Sequence, residues 1–126
     1  MKNSIISCVI FISMILGIIF CLNYLNQISA EIFSLNSVIE EHIVDEKWDL
    51  AYKASMSLLD TWNDHSVFIS IFTNDNDLHS VSDEIVKLTQ YIRCKNKDDS
   101  LVSVHSVKYF MNHIKDLQKP NIENIF

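Results

Sequence analysis

Residues 5–43 read IISCVIFISMILGIIFCLNYLNQISAEIFSLNSVIEEHI, and two hydrophobic patterns meet in them without a break. The first, Ile5 to Leu22, is apolar almost throughout and carries no charged side chain. As a helix rising about 1.5 Å per residue it is roughly 27 Å long, close to the hydrocarbon thickness of a bilayer. The second is apolar on one face only. Leu25, Ile28, Ile32, Leu35, Ile39 and Ile43 step by three or four residues, the repeat of an amphipathic helix. No Gly or Pro interrupts residues 23–43. The reading is therefore one rod from about residue 4 to 44, a membrane helix that continues into a soluble domain.

The flanks of the apolar segment decide its fate and direction. A cleaved secretory signal has a shorter apolar run, about 7–15 residues, and a small-x-small cleavage site. Ile28-Ser29-Ala30 fits such a site poorly, and Phe20 before Cys21 does not suit a lipoprotein signal. The anchor is expected to be retained. Lys2 and the amino terminus precede it, whereas uncharged residues 23–27 and then Glu31, Glu40 and Glu41 follow, with no Lys or Arg before Lys47. Positive charge stays inside. The expected arrangement is residues 1–4 in the cytoplasm, 5–22 spanning the cell membrane once, 23–119 as an extracytoplasmic helical domain, and 120–126 as a tail. Within the anchor, Ser13, Gly17 and Cys21 are spaced by four, a pattern that lets two membrane helices approach closely. They mark a candidate self-association face.

Outward from the rod, three further helical stripes follow. Asp45 is expected to cap a second helix with Trp48, Ala51, Ser55, Leu58 and Trp62 on one face. The run Val67 to Phe72, VFISIF, is too short for its period to distinguish a strap from a last helical turn. A connection that short crosses helix ends, so it is expected to be mostly buried. Thr73 to Asp77 is rich in capping residues and opens a third helix carrying Leu78, Val81, Ile85, Leu88 and Ile92. Asp98 or Asp99 is expected to cap a fourth, with Leu101, Val104, Val107, Met111 and Ile114 facing one way and Ser100, Ser103 and Ser106 forming a small-residue strip beside them. Pro120 stops anything still helical. Short links imply antiparallel neighbours. The fold class read from these patterns is all-α: an N-terminal transmembrane helix continuing into a small antiparallel bundle of about four helices. Its core anchors are expected to be Trp48, Trp62, Ile85, Leu88 and Met111.

Composition agrees. The 126 residues include a single Gly and a single Pro, whereas strand-rich folds spend both in turns. The net charge of −6 speaks against nucleic acid as a partner and against electrostatic adhesion to anionic lipid. Of three cysteines, Cys8 and Cys21 lie in the anchor, which leaves Cys94 without an intrachain partner in the domain and expected to be a half-buried small apolar residue.

Several of these stretches resemble a known family. Trp48 and Trp62, Ser70-Ile71-Phe72 entering an acidic helix start, Leu88 to Tyr91-Ile92, and His113-Ile114 followed at a distance by Asn124-Ile125-Phe126 are similar to the domain of unknown function 4363 family. The resemblance covers nearly the whole chain. It implies a small bacterial protein with an N-terminal membrane helix and a helical remainder, without an assigned activity. The chain departs from the family pattern where a histidine often follows the SIF-like run and Asp75 stands here, and in a fourth helix rich in serine rather than alanine.

Candidate chemistry is sparse. The five histidines include no His-Glu-x-x-His pair and no Glu-x-x-His, and the cysteines form no C-x-x-C, so no metal and no cofactor is expected. Asp75, Asp77, Asp83 and Glu84 lack the glycine turn and closing glutamate of a calcium loop, and acidic residues favour helix starts in any case. No G-x-S-x-G and no glycine-rich phosphate loop occurs. The tryptophans stand fourteen residues apart, roughly 21 Å along a helix, too far for one aromatic cage. No catalytic residue is nominated. The expected function is non-enzymatic: a protein-interaction module displayed outside the cytoplasm, its partner a membrane protein or a second copy of itself. Ile122, Asn124, Ile125 and Phe126 are the candidate contact, since surface this apolar is unusual when left in water; docking of this tail against the chain's own bundle is the other reading. The alternative is a sensory or ligand-binding helical domain signalling through a membrane partner. A pocket with convergent polar groups would favour the alternative; a solid core with an exposed apolar groove would favour the first.

Overall fold

The computed structural model describes residues 1–116 and is helical throughout: α1 (Lys2–Val44), α2 (Trp48–Ile69), α3 (Asp75–Arg93) and α4 (Lys97–Asp116). The expected tail residues Ile122, Asn124, Ile125 and Phe126, and the stop at Pro120, lie outside the described residues. The rod is continuous, roughly 65 Å from end to end. Its halves meet different surroundings. Residues 1–20 are all exposed, whereas Leu25, Ile28, Ile32, Ile39 and Ile43 are buried. The bundle is thus built on the second half of α1.

Helix α1 packs on α2 and α4, and α3 packs on α2 and α4, which closes an up-down-up-down ring. The end away from the apolar segment, the distal end, holds the α1–α2 and α3–α4 links; the α2–α3 link lies at the end next to that segment. The core is the sum of the four stripes. Trp62, Ile85, Leu88, Val81, Leu58 and Met111 are almost completely enclosed, with Trp62 at 0% exposure. Trp62 Nε1 donates to Ser82 Oγ at 2.7 Å, so the one polar atom of the largest core side chain has a partner. Ser100 and Ser103 are buried and leave room for α4 to approach α3, where Ser103 Oγ donates to Glu84 Oε1 at 2.9 Å.

Five local expectations need correction. Asp45 does not start α2; it ends α1, with Glu46 in the left-handed region at φ 57. The bonds Lys47 N to His42 O (2.8 Å) and Glu46 N to Ile43 O (3.0 Å) make a Schellman cap. Nor does Asp98 or Asp99 cap α4. The backbone N–H of Asp99 donates to Asn96 Oδ1 at 3.1 Å, which puts the capping side chain at Asn96. Trp48 opens α2 and is only half-buried, because the first turn of a helix at the bundle end is covered on one side. Cys94 sits at the C-cap of α3 and is exposed. Finally, Val67 to Phe72 is not a buried strap. Helix α2 runs on to Ile69, so helical geometry buries Ile69, at 1% exposure, and packs the half-buried Phe68 against the core edge, while Val67 and Ile71 are 76% and 72% exposed.

Candidate functional site

A surface depression lies at the end of the bundle away from the apolar segment, where the start of α2 meets the end of α3. It is a cleft of ≈580 Å³ lined by Trp48, Asp49, Tyr52, Lys53, Ile92 and Arg93. Its construction follows from helix geometry. Trp48 and Tyr52 are four residues apart and share one face of α2, as do Asp49 and Lys53. Ile92 closes the core beneath them, and Arg93 in the last turn of α3 comes alongside because the two helices are antiparallel neighbours. Each charge also suits its helix end: Asp49 in the first turn of α2 and Arg93 in the last turn of α3 complement the helix dipoles. The result is an aromatic floor with charges of both signs at the rim. Trp, Tyr and Arg dominate the binding energy of protein interfaces.

The internal gap among Leu25, Ile28, Ser29, Ile69, Met111 and Ile114 has a volume of ≈10 Å³, about the size of a single water probe. Buried polar side chains are absorbed by packing: Asn36 Nδ2 donates across the bundle to Val104 O at 3.0 Å, Thr89 Oγ1 donates to Val86 O, and Ser55 Oγ donates to Tyr52 O. Asn36 Oδ1 and Ser100 Oγ are enclosed without a partner, and neither residue lines that gap. Among the described residues, no three of His, Cys, Asp or Glu come together as metal ligands. The histidines are dispersed: His105 Nε2 lies 3.6 Å from Glu40, His65 Nε2 lies 3.7 Å from Glu31, and His79 and His113 are exposed.

The residues singled out from sequence fall at three places. Trp62, Ile85, Leu88 and Met111 share the core, whereas Trp48 belongs to the distal cleft. Ser13 and Gly17 are exposed on the apolar half of α1, with open space above Gly17, and Cys21 is half-buried where the bundle begins. The terminal residues from Ile122 onward are outside the described part. Sequence reading missed the cleft because Tyr52 and Arg93 come from different elements. It also missed Asn36, which is buried where Leu35 was expected and is only half-buried. The spacing held the signal, since 36 continues 28 and 32 by steps of four and leads to 39 by three.

Comparison with family models matches residues 19–125 to a domain of unknown function (DUF4363). No curated protein and no solved structure matches the chain.

Proposed function

We propose that this chain, which belongs to the DUF4363 family, is a non-enzymatic protein-interaction module held at the outer face of the cell membrane by a retained N-terminal helix. One observation carries the reading: a helix that packs a closed bundle with its second half leaves its first twenty residues exposed, and that exposed part is apolar enough and long enough to cross a membrane. Lys2 before the span and Glu31 as the first charge after it support an inward N-terminus. The packed core of the described residues and the open, aromatic-lined cleft at its end support interaction; a small ligand held in that cleft is the sensory alternative. The distal cleft around Trp48, Tyr52 and Arg93 is the docking face this reading assigns, since it points away from the bilayer and toward other proteins at the same surface.

The experiment is affinity purification of the detergent-solubilised full-length chain beside an Arg93→Glu variant. Arg93 is exposed, so the substitution leaves the core intact. The expected result is a co-purifying protein lost in the variant while the helical signal and melting temperature hold. Equal recovery with both chains would remove the cleft from the proposal, and an enzymatic activity in the purified chain would overturn the non-enzymatic reading.

A further inference from the structure

We infer that the α2–α3 turn is a second membrane contact: Val67, Ile71 and Phe72 insert into the lipid interface beside the point where α1 leaves the bilayer. The inference rests on the anchoring reading above and adds to it a surface and an occupant. Val67 and Ile71 are 76% and 72% exposed and Phe72 is 36% exposed, three large apolar side chains on one short turn. Their level along α1 is fixed by contacts. The Phe68 ring meets the Tyr24 ring edge-on at 4.6 Å between centroids, and the Phe72 ring lies 5.3 Å from that of Phe68. Tyr24 follows the last residue of the apolar segment, Leu22, by two positions, a rise of about 3 Å. The patch is therefore continuous with the exposed apolar surface of the anchor, at the depth where aromatic side chains collect in membrane proteins.

The backbone of the turn is suited to that place. The N–H groups of Ser70, Ile71 and Phe72 donate to Ser66 O, Phe68 O and Ile69 O, so the turn brings few unsatisfied donors to a water-poor zone. Asn74 Oδ1 accepts from the N–H of Asp77 at 2.8 Å and closes the start of α3. Beyond it Asp75 and Asp77 limit penetration to the interface and exclude an attraction to anionic headgroups. The occupant is apolar and uncharged, which the acyl-chain boundary of a zwitterionic bilayer supplies. With two contacts, the bundle is held at a fixed tilt instead of swivelling about α1.

The test uses the full-length chain in phosphatidylcholine vesicles, with Cys8→Ala and Cys21→Ala and a bimane label at one cysteine at a time: Leu16→Cys in the anchor, Ile71→Cys in the turn (both with Cys94→Ser), and native Cys94 at the distal end. Quenchers are lipids bearing a nitroxide at a shallow or a deep acyl position, and aqueous iodide. The inference predicts that Leu16 loses fluorescence to the deep nitroxide and Ile71 to the shallow one, with Ile71 blue-shifted and spared by iodide, while Cys94 is quenched by iodide alone. Lipid quenching at Leu16 together with iodide quenching at Ile71 as complete as at Cys94 would overturn the inference and leave the anchor standing. Protection of Ile71 from both quenchers would mean that protein, a second copy or another part of the chain, covers the turn, and would overturn it too. A Leu16 label untouched by either nitroxide would overturn the anchor and the turn together.

Discussion

Two tryptophans with the same spacing signature differ in what they do. Trp62 is enclosed on all sides and hydrogen-bonded to Ser82. Trp48 leaves part of its ring to the cleft. Trp62→Ala should cost about 3–5 kcal/mol, the range for emptying a buried aromatic site, whereas Trp48→Ala should cost no more than about 2 kcal/mol because its ring is only partly buried and borders the cleft. Denaturant unfolding of the full-length chain in mild detergent measures both; a loss below about 1 kcal/mol for Trp62→Ala would take it out of the core. Asn36 is the opposite case, a polar group in an apolar layer with one amide hydrogen bond to Val104 O and a carbonyl oxygen left without a partner. Leu at this position removes both, and the orphaned oxygen costs about 1–3 kcal/mol against about 1 kcal/mol for the bond. Asn36→Leu is therefore expected to raise stability by about 1 kcal/mol in the same assay. A fall would show that the amide fixes the register of α1 on α4.

At the scale of elements, the chain turns its distal corners without glycine. Both distal links are Schellman caps with a non-glycine residue in the left-handed region, Glu46 at φ 57 and Lys95 at φ 58. In the second, Asn96 N donates to Tyr91 O and Lys95 N to Ile92 O. A side chain there costs roughly 1–2 kcal/mol, part of which glycine's greater unfolded-state freedom cancels. Lys95→Gly should therefore raise stability by up to about 1 kcal/mol, read as a shift in denaturant midpoint at unchanged slope. The four stripes were legible because helical period survives any bundle arrangement, and so was the start of α3 in its capping cluster. The links were less legible. Asp45 has the chemistry of an N-cap, but Asp45 and the residues after it instead complete the Schellman cap of α1. In VFISIF apolar content alone does not give the phase; once α2 is carried to Ile69, Ile69 is buried and Phe68 half-buried, and Val67 and Ile71 face outward.

For the molecule as a whole, the first forty residues supply both a scaffold of the bundle and a segment long and apolar enough to cross a membrane. A 43-residue helix is far longer than a bundle of this size needs, and the surplus is the exposed apolar half. The site was the least legible feature, since the distal cleft depends on bringing Trp48 and Tyr52 of α2 beside Arg93 of α3, a juxtaposition set by topology and not by any local pattern. Helix α4 returns toward the end next to the apolar segment, so the cleft and Cys94 stand at the far end of the bundle from it. That placement makes Cys94, exposed at the distal end of α3, the natural reporter of sidedness. The most direct measurement is labelling of Cys94 by a membrane-impermeant maleimide in intact spheroplasts, with Cys8→Ala and Cys21→Ala to silence the anchor, followed by the mass of the labelled chain. The account predicts labelling before permeabilisation on a chain of full mass. Labelling only after the membrane is opened, or on a chain shortened by loss of its first helix, would contradict it.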